Sequence, residues 1–367
     1  MVDFGAVDSR VAVEGVASSQ LGVNVVYRVA IVGAGGIARR HARACREVSD
    51  ARLVAVCDER AEAAEKLGDE FDIPRRVVGL DALLGGESFD IAIVSTWGNS
   101  HAAIVSAIAQ SGRTRAILCE KPISLNAIET RAMQAAASAN GVLLAEAFKF
   151  RYHPVHLKAQ QLIDSGALGA VTHVRSTFTT TSPPRMRDPN LNWRFNPARG
   201  GGAIYDLGCY CTHHARWVMD ADPIQVSAVG RWGAESGVDE SVTATLTLPG
   251  DRTAQWWISF GDVPSQEIEV FGSKGRLRIE KAWNNEDQAT SLVFTDVSGE
   301  IQEFAFPPVF QFALQLQHLC DCLRTGEAHR IPPRDSLGQM HTLDALYASL
   351  RSGQPVSVEV PATATIT

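Results

Sequence analysis

The apolar run Val29-Ala30-Ile31-Val32 leads straight into Gly33-Ala34-Gly35-Gly36-Ile37-Ala38, and this junction restricts the fold more than any other stretch of the chain. A short run of this kind reads as a buried strand. In Gly33-x-Gly35-x-x-Ala38 the first glycine permits a tight turn and the second lets a ligand approach the backbone. Ala38 keeps the following helix close to the strand. A helix opened this way offers free N–H groups to an anion. A second strand ends in Asp58, 25 residues beyond Gly33, which completes a dinucleotide fingerprint. The expected cofactor contacts are Gly33, Gly35, Gly36, Ile37 and Ala38, with Asp58 accepting from the adenosine ribose hydroxyls. A carboxylate there repels a 2′-phosphate and favours NAD, while Arg60, two residues on, leaves NADP open.

From Arg28 to about Phe148, apolar runs alternate with amphipathic stretches. Strands are predicted at Arg28–Val32, Arg52–Cys57, Asp90–Ser95, Arg115–Cys119 and Val142–Ala147. Helices are predicted at Gly36–Glu47, Ala61–Phe71, His101–Ser111 and Leu125–Asn140. The alternation implies an α/β, doubly wound parallel sheet of the Rossmann type. After a helix near Pro154–Ser165 the period changes to two, with strands at Val171–Thr180, Gln225–Trp232, Ser241–Leu248, Thr253–Phe260, Glu267–Phe271, Arg276–Lys281, Leu292–Thr295 and Ile301–Phe306. These imply a C-terminal α+β domain with a mostly antiparallel sheet. One helix is inserted at Gly201–Met219, and two more close the chain at Phe310–Arg324 and Ser336–Leu350. The expected organisation is an extension over residues 1–27, a cofactor domain over 28–150 and a substrate and oligomerisation domain over 151–360.

Composition narrows the partners. A net charge of −7 argues against nucleic acid or an anionic membrane surface. No apolar run approaches the roughly 18 residues that span a bilayer. The first 27 residues lack the apolar core of a secretory signal. Seven cysteines include two Cys-x-Cys pairs, Cys209/Cys211 and Cys320/Cys322, neither with zinc-site spacing. No metal site is expected, and reduced, buried thiols in a cytoplasmic protein are.

The chemistry lies further along. Glu120-Lys121-Pro122 follows a strand, so Lys121 projects toward the ligand crevice, and a cis Lys121–Pro122 bond fits the turn. Asp206 and Tyr210 are four apart on the predicted helix and share a face, which His214 continues. Gly200–Gly202 just upstream would let the backbone pass close to cofactor or substrate. A phenol titrates near 10, too high for efficient proton exchange at neutral pH, and the Lys121 ammonium is expected to lower it. Tyr210 would then exchange a proton with the substrate oxygen as a hydride moves to or from nicotinamide C4.

These motifs resemble the Gfo/Idh/MocA oxidoreductase family from Arg28 to about Val358. The likeness rests on Gly33–Ala38, Asn99-Ser100-His101, Glu120-Lys121-Pro122, Glu146-x4-Arg151-x2-Pro154, Asn192-Trp193-Arg194 and Gly200–Tyr210. Tyr at position 210, where the inositol-dehydrogenase branch has His, places the chain nearer the glucose–fructose oxidoreductase and dihydrodiol and D-xylose dehydrogenase branches. The resemblance implies an open-faced C-terminal sheet used for homodimer or homotetramer contacts. It implies catalytic roles for Lys121, Tyr210 and Asp206. Thr96, Trp97, Asn99, His101 and Glu120 would lie at the cofactor, and Arg151, Trp193, Arg194 and His214 at the substrate. The chain departs from the family in reading Thr96-Trp97-Gly98-Asn99 where Thr-Pro-Asn is common. Asp58 also departs from the NADP-using branch members, and the local charge argument favours NAD. The expected activity is hydride transfer on a secondary alcohol or ketone of a sugar, cyclitol or related polyol. The alternatives are a sugar-nucleotide ketoreductase and a non-catalytic NAD(P)-binding regulator.

Overall fold

The computed structural model describes residues 25–359. The expected extension over 1–27 thus lies mostly outside the described residues, and its last member, Tyr27, is already buried in the first strand. Six parallel strands follow: β1 (Tyr27–Val32), β2 (Ala51–Asp58), β3 (Arg75–Val78), β4 (Ile91–Val94), β5 (Ala116–Cys119) and β6 (Leu143–Glu146). Their order is β3-β2-β1-β4-β5-β6. Between them run α1 (Gly36–Glu47), α2 (Ala61–Phe71), α3 (Leu80–Leu84), α4 (Gly98–Gln110) and α5 (Ala127–Ala139). β3 is the strand that periodicity passed over. Arg75 and Arg76 break its apolar pattern, as an edge strand allows, and Arg76 reaches Glu65 and Asp69 of α2.

The second half opens with α6 (Pro154–Asp164) and builds a ten-stranded sheet. Its members are β7 (Val171–Thr181), then, after the inserted helix α7 (Cys209–Val218), β8 (Gln225–Trp232), β9 (Asp239–Leu248) and β10 (Arg252–Ser259). There follow β11 (Gly261–Ser265), β12 (Ile268–Gly272), β13 (Gly275–Ile279), β14 (Thr290–Asp296) and β15 (Ile301–Phe306). After α8 (Gln311–Thr325) and α9 (Pro333–Ser352), the two-residue β16 (Val356–Ser357) joins β8. β11 and β16 were not legible: one carries Gly261 and Pro264, the other is too short to show a period. The pairing is antiparallel except at the centre, where β7 and β10 run parallel.

Register separates the faces of this sheet. Ala228, Ala244, Trp256 and Ser176 lie in one buried row, while Val229, Thr243, Trp257 and Thr177 form the next row on the open face. Helices α6, α7 and α9 cover the buried face. The boundary near residue 150 is not a clean cut. α8 returns to the first half, where Phe312, Leu316, Leu319 and Cys320 join Ala38, Ala42 and Cys45 of α1 in one core.

The core under α7 is rich in histidine. His153, His156, His213 and His214 are buried around Phe150, Trp217 and Trp283. His156 Nε2 meets the Ala282 carbonyl at 2.8 Å and His213 Nε2 meets Arg151 at 2.9 Å. Neither ring nitrogen of His214 has a hydrogen-bond partner among the described residues. Burial, with nearby arginines, pushes His213 and His214 well below the usual imidazole range, and burial takes His156 to about 3 and His153 to about 4. His329, under α8, falls to about 4 for the same reason.

Each of these groups is neutral when folded and takes a proton near pH 6.5 when unfolded, so stability is lost as pH falls from 6.5 toward the folded value. Burial lifts Glu146 and Asp239 to about 7 and also raises Asp335 and Asp344, which works in the opposite sense, but burial lowers His101, His173 and His318 as well, so the imidazoles outnumber these four carboxyls. The unfolding free energy is therefore expected to fall steeply between pH 6.5 and 5. His214→Phe should reduce that slope by about 1.4 kcal/mol per pH unit, one proton's worth. Denaturant titrations across this range measure it, and an unchanged slope would mean that His214 is charged or hydrated in the native protein.

Candidate active site

Sheet order reverses between β1 and β4, which leaves a crevice at the carboxyl ends of the parallel strands. Gly33, at the end of β1, has φ +93°, and a Cβ there would stand 2.9 Å from the Ser95 backbone. Ser95 Oγ donates to the Gly33 carbonyl at 2.8 Å and fixes the turn. At Gly35 and Gly36 a Cβ would meet only open space. α1 begins there with no side-chain cap and no acid in its first turn. Free N–H groups, the positive end of the helix dipole and an unobstructed approach fit the pyrophosphate of a dinucleotide.

Asp58 is more engaged than the sequence implies. Its Oδ2 accepts from Ala34 N at 2.8 Å and its Oδ1 from Arg60 N at 2.9 Å. The carboxylate thus braces both the glycine turn and the start of α2. The Arg60 side chain is 77% exposed, with Nε 3.7 Å from Asp58. After β4, the Thr96 hydroxyl accepts from Ser100, and Asn99 is exposed at the start of α4. Trp97 is 46% exposed, with the Arg199 guanidinium 3.9 Å from its ring centroid. His101 is buried between the carbonyls of Thr96 and Pro122, at 3.1 and 3.2 Å, and so links the end of β4 to the Lys121–Pro122 peptide, which is cis. Glu120 pairs with His41 of α1 at 2.7 Å. Burial opposes its charge, but the His41 contact prevails and holds its pKa below the usual carboxyl value.

Lys121 and Tyr210 meet across this crevice. The helix predicted at Gly201–Met219 is interrupted: Ile204–Gly208 form a π turn, and α7 follows without a break. The widened turn carries Asp206. Lys121 Nζ donates to the Asp206 carbonyl at 2.8 Å and to Oδ1 at 3.0 Å, and Arg194 Nε donates to Oδ2 at 2.6 Å. The same ammonium stands 4.8 Å from the centroid of the Tyr210 ring. The Tyr210 ring packs against Phe148, Phe178 and Trp283, and its hydroxyl forms no hydrogen bond among the described residues. Lys121, Asp206, Arg194, Tyr210 and Phe178 border a cleft of about 680 Å³ that also takes in Ile37, Arg40, Thr180, Met186, Asn192, Glu286, Asp287 and Phe312.

The electrostatics correct one expectation. Burial raises the Tyr210 phenol above 10, and Lys121, though it acts downward, does not overcome that. The buried Asp206 carboxyl is nonetheless held well below its usual range, because Arg194 and Lys121 together outweigh desolvation. Asp206 in turn keeps Lys121 charged against its own burial. Lys121 is thus a permanent cation beside a neutral phenol.

Other expected residues lie elsewhere. His214 is sealed in the histidine core. Arg151 is buried against Trp217 and His213. Trp193 does not border the cleft, whereas its neighbours Asn192 and Arg194 do. Gly201 and Gly202 admit protein rather than ligand. A Cβ on Gly201 would meet the carbonyls of Trp193, Arg194 and Asn196 at 2.6–2.7 Å, and one on Gly202 would meet Asp239. Sequence reasoning missed Lys149, Glu286 and Asp287. Lys149 carried a signal, a lone cation within the apolar run Ala147-Phe148-Lys149-Phe150, where a charge is rarely buried without a partner.

Comparison with known proteins identifies the family of both halves of the chain. Residues 27–148 match the family described as oxidoreductases with an NAD-binding Rossmann fold, and residues 156–278 match the GFO/IDH/MocA C-terminal domain. The D-xylose 1-dehydrogenase (NADP(+)) 2 of Haloferax volcanii is 30% identical over 90% of this chain and 99% of its own. The trans-1,2-dihydrobenzene-1,2-diol dehydrogenase of Mus musculus is 31% identical over 82% of this chain and 90% of its own. Among solved structures, a 3-ketoreductase from Actinomadura kijaniata in complex with NADP and TDP-benzene superposes with a TM-score of 0.80 at 26% identity, covering 89% of this chain and 98% of that one. No helix among the described residues is long and apolar enough to cross a membrane.

Proposed function

The chain belongs to the Gfo/Idh/MocA family of oxidoreductases, and from that premise we propose that it is an NAD(P)-dependent dehydrogenase or reductase of a sugar, cyclitol or related polyol. The observation that supports this most directly is the approach of Lys121 and Tyr210, from separate halves of the chain, in one cleft at the mouth of a dinucleotide turn. When bound, a nicotinamide cofactor would supply or accept a hydride at C4.

The protein's part is to place the alcohol and to move one proton. With its pKa raised by burial, the Tyr210 phenol holds its proton at neutral pH, ready for a substrate oxygen as negative charge develops on it. Lys121 favours the phenolate left behind, and Asp206 fixes Lys121 by two hydrogen bonds. In the oxidation direction the phenol must first lose its proton, so turnover rises with pH. Arg194, held by the other oxygen of the same carboxylate, borders the substrate side.

Gly33–Ala38 would hold the cofactor, with Thr96, Trp97, Asn99, His101 and Glu120 shaping the adjoining strand ends. Its preference falls to Asp58 and Arg60. The unused lone pairs of Asp58 suit ribose hydroxyls and favour NAD, while the exposed Arg60 admits a 2′-phosphate. The open sheet face bearing Val229 and Trp257, 63% and 40% exposed, suits a second copy of the chain.

Steady-state assays with aldoses and cyclitols test the reading. Tyr210→Phe and Lys121→Met should each lower turnover by about 10²–10⁴ while cofactor affinity changes little. Lys121→Met should also shift the rising limb of the oxidation profile to higher pH, because the group that lowers the phenol's pKa is gone. Full activity in either variant refutes the assignment. For the cofactor, Asp58→Ala should weaken both nucleotides, since it removes the brace on Ala34 N, and should narrow any preference for NAD. Arg60→Ala should cost NADP about tenfold more than NAD. Fluorescence titrations of both nucleotides measure this.

A further inference from the structure

We propose that His41 of α1 is a positioning residue that pins the Glu120 carboxylate, so that one of its oxygens stays open to the nicotinamide riboside half of the cofactor. The proposal rests on the dehydrogenase reading above and adds a residue to its cofactor site.

The buried face of α1 is otherwise made of Ala38, Ala42, Ala44 and Cys45, small residues that pack closely. His41 stands among them, 1% exposed, where an imidazole is costly without a partner. Its partner lies just past β5, where Glu120 Oε1 is 2.7 Å from Nε2. An ionised carboxylate can only accept, so Nε2 is the donor. Phe312 of α8 meets the imidazole edge-on, with centroids 5.2 Å apart and planes at 90°, and itself borders the cleft. Packing on one side and Glu120 on the other thus fix the ring.

Glu120 is 8% exposed and borders the cleft together with Ile37 and Lys121. The charges of Lys121 and Lys149 both act on it, yet neither ammonium forms an ion pair with it among the described residues. Lys121 goes to Asp206 and Lys149 to Glu286. Released from His41, the carboxylate would be drawn toward Lys121 and compete with Asp206 for it. Held by His41, it keeps Oε2 nearly free, with one long hydrogen bond among the described residues, from the Lys121 backbone N–H at 3.3 Å. Unused lone pairs on a carboxylate oxygen suit hydroxyl or amide donors. Position in the sheet says which donors these are. The glycine turn follows β1, while Asp58 ends β2 on one side and Glu120 follows β5 on the other. A dinucleotide with its diphosphate at the turn and its adenosine toward Asp58 would direct its second ribose and carboxamide toward Glu120.

Fluorescence titrations of the intact protein compare the preferred dinucleotide with its adenosine diphosphate half, which lacks the nicotinamide riboside. His41→Leu should raise Kd for the dinucleotide about tenfold, as loss of a charge-assisted bond does, and Kd for the half by no more than about twofold. His41→Gln, whose amide nitrogen stands near the place of Nε2, should restore most of the loss. Glu120→Ala should weaken the dinucleotide likewise, and adding His41→Leu to it should cost little more, because one residue acts through the other. If His41→Leu does not fold, His41→Asn takes its place, since its shorter amide falls short of Glu120. Dinucleotide binding unchanged by the loss of His41, equal weakening of the adenosine diphosphate half, or additive effects of the two substitutions overturn this proposal and leave the dehydrogenase reading standing. A wild type that binds no dinucleotide ends that reading, and this proposal with it.

Discussion

One carboxylate joins the halves of this protein. Asp206 receives Lys121 from the end of β5 on one oxygen and Arg194 from the preceding loop on the other. In a poorly hydrated setting such bonds are strong, and losing the shared acceptor would leave two cations without a counter-charge. Much of the local backbone serves this arrangement. The π turn presents the Asp206 carbonyl to Lys121 as well, and Gly201 lets the Trp193–Asn196 loop lie against the helix start so that Arg194 reaches across.

The same burial that strengthens these bonds decides how the neighbouring groups ionise. Tyr210 and Lys121 stand close together, and proximity alone argues for an acidified phenol. Desolvation wins instead, because most of the ring is enclosed by Phe148, Phe178 and Trp283. Asp206 goes the other way because two cations touch it. Two titratable groups four residues apart thus diverge, one kept neutral and the other kept charged.

What the sequence showed and what it hid follow from range. The glycine turn, the parallel alternation and most helices depend on residues within a dozen positions of one another, and α1 and α2 match their predicted limits. The strand-end position of Lys121 and its meeting with Tyr210 were legible because fold rules place strand ends at the crevice. Features set by distant partners were not. Asp58 looked free because its acceptance from Ala34 N spans 24 residues, and His214 looked like a site residue because periodicity gives a face but not what covers it. The tie between Lys149 and Glu286 spans 137 positions, and nothing local announces its partner. The two arginines of β3 hid a strand whose neighbours supply the evidence for it.

The return of α8 bears on how the molecule can be divided. Its side chains Phe312, Leu316 and Leu319 complete the apolar layer over α1, while Gln317 and Arg324 both contact Asp50 just before β2. A fragment cut near residue 150 would bare that layer to water. Any chimera that borrows the cofactor-binding half of this protein must bring residues 311–325 with it, or supply another helix of the same profile.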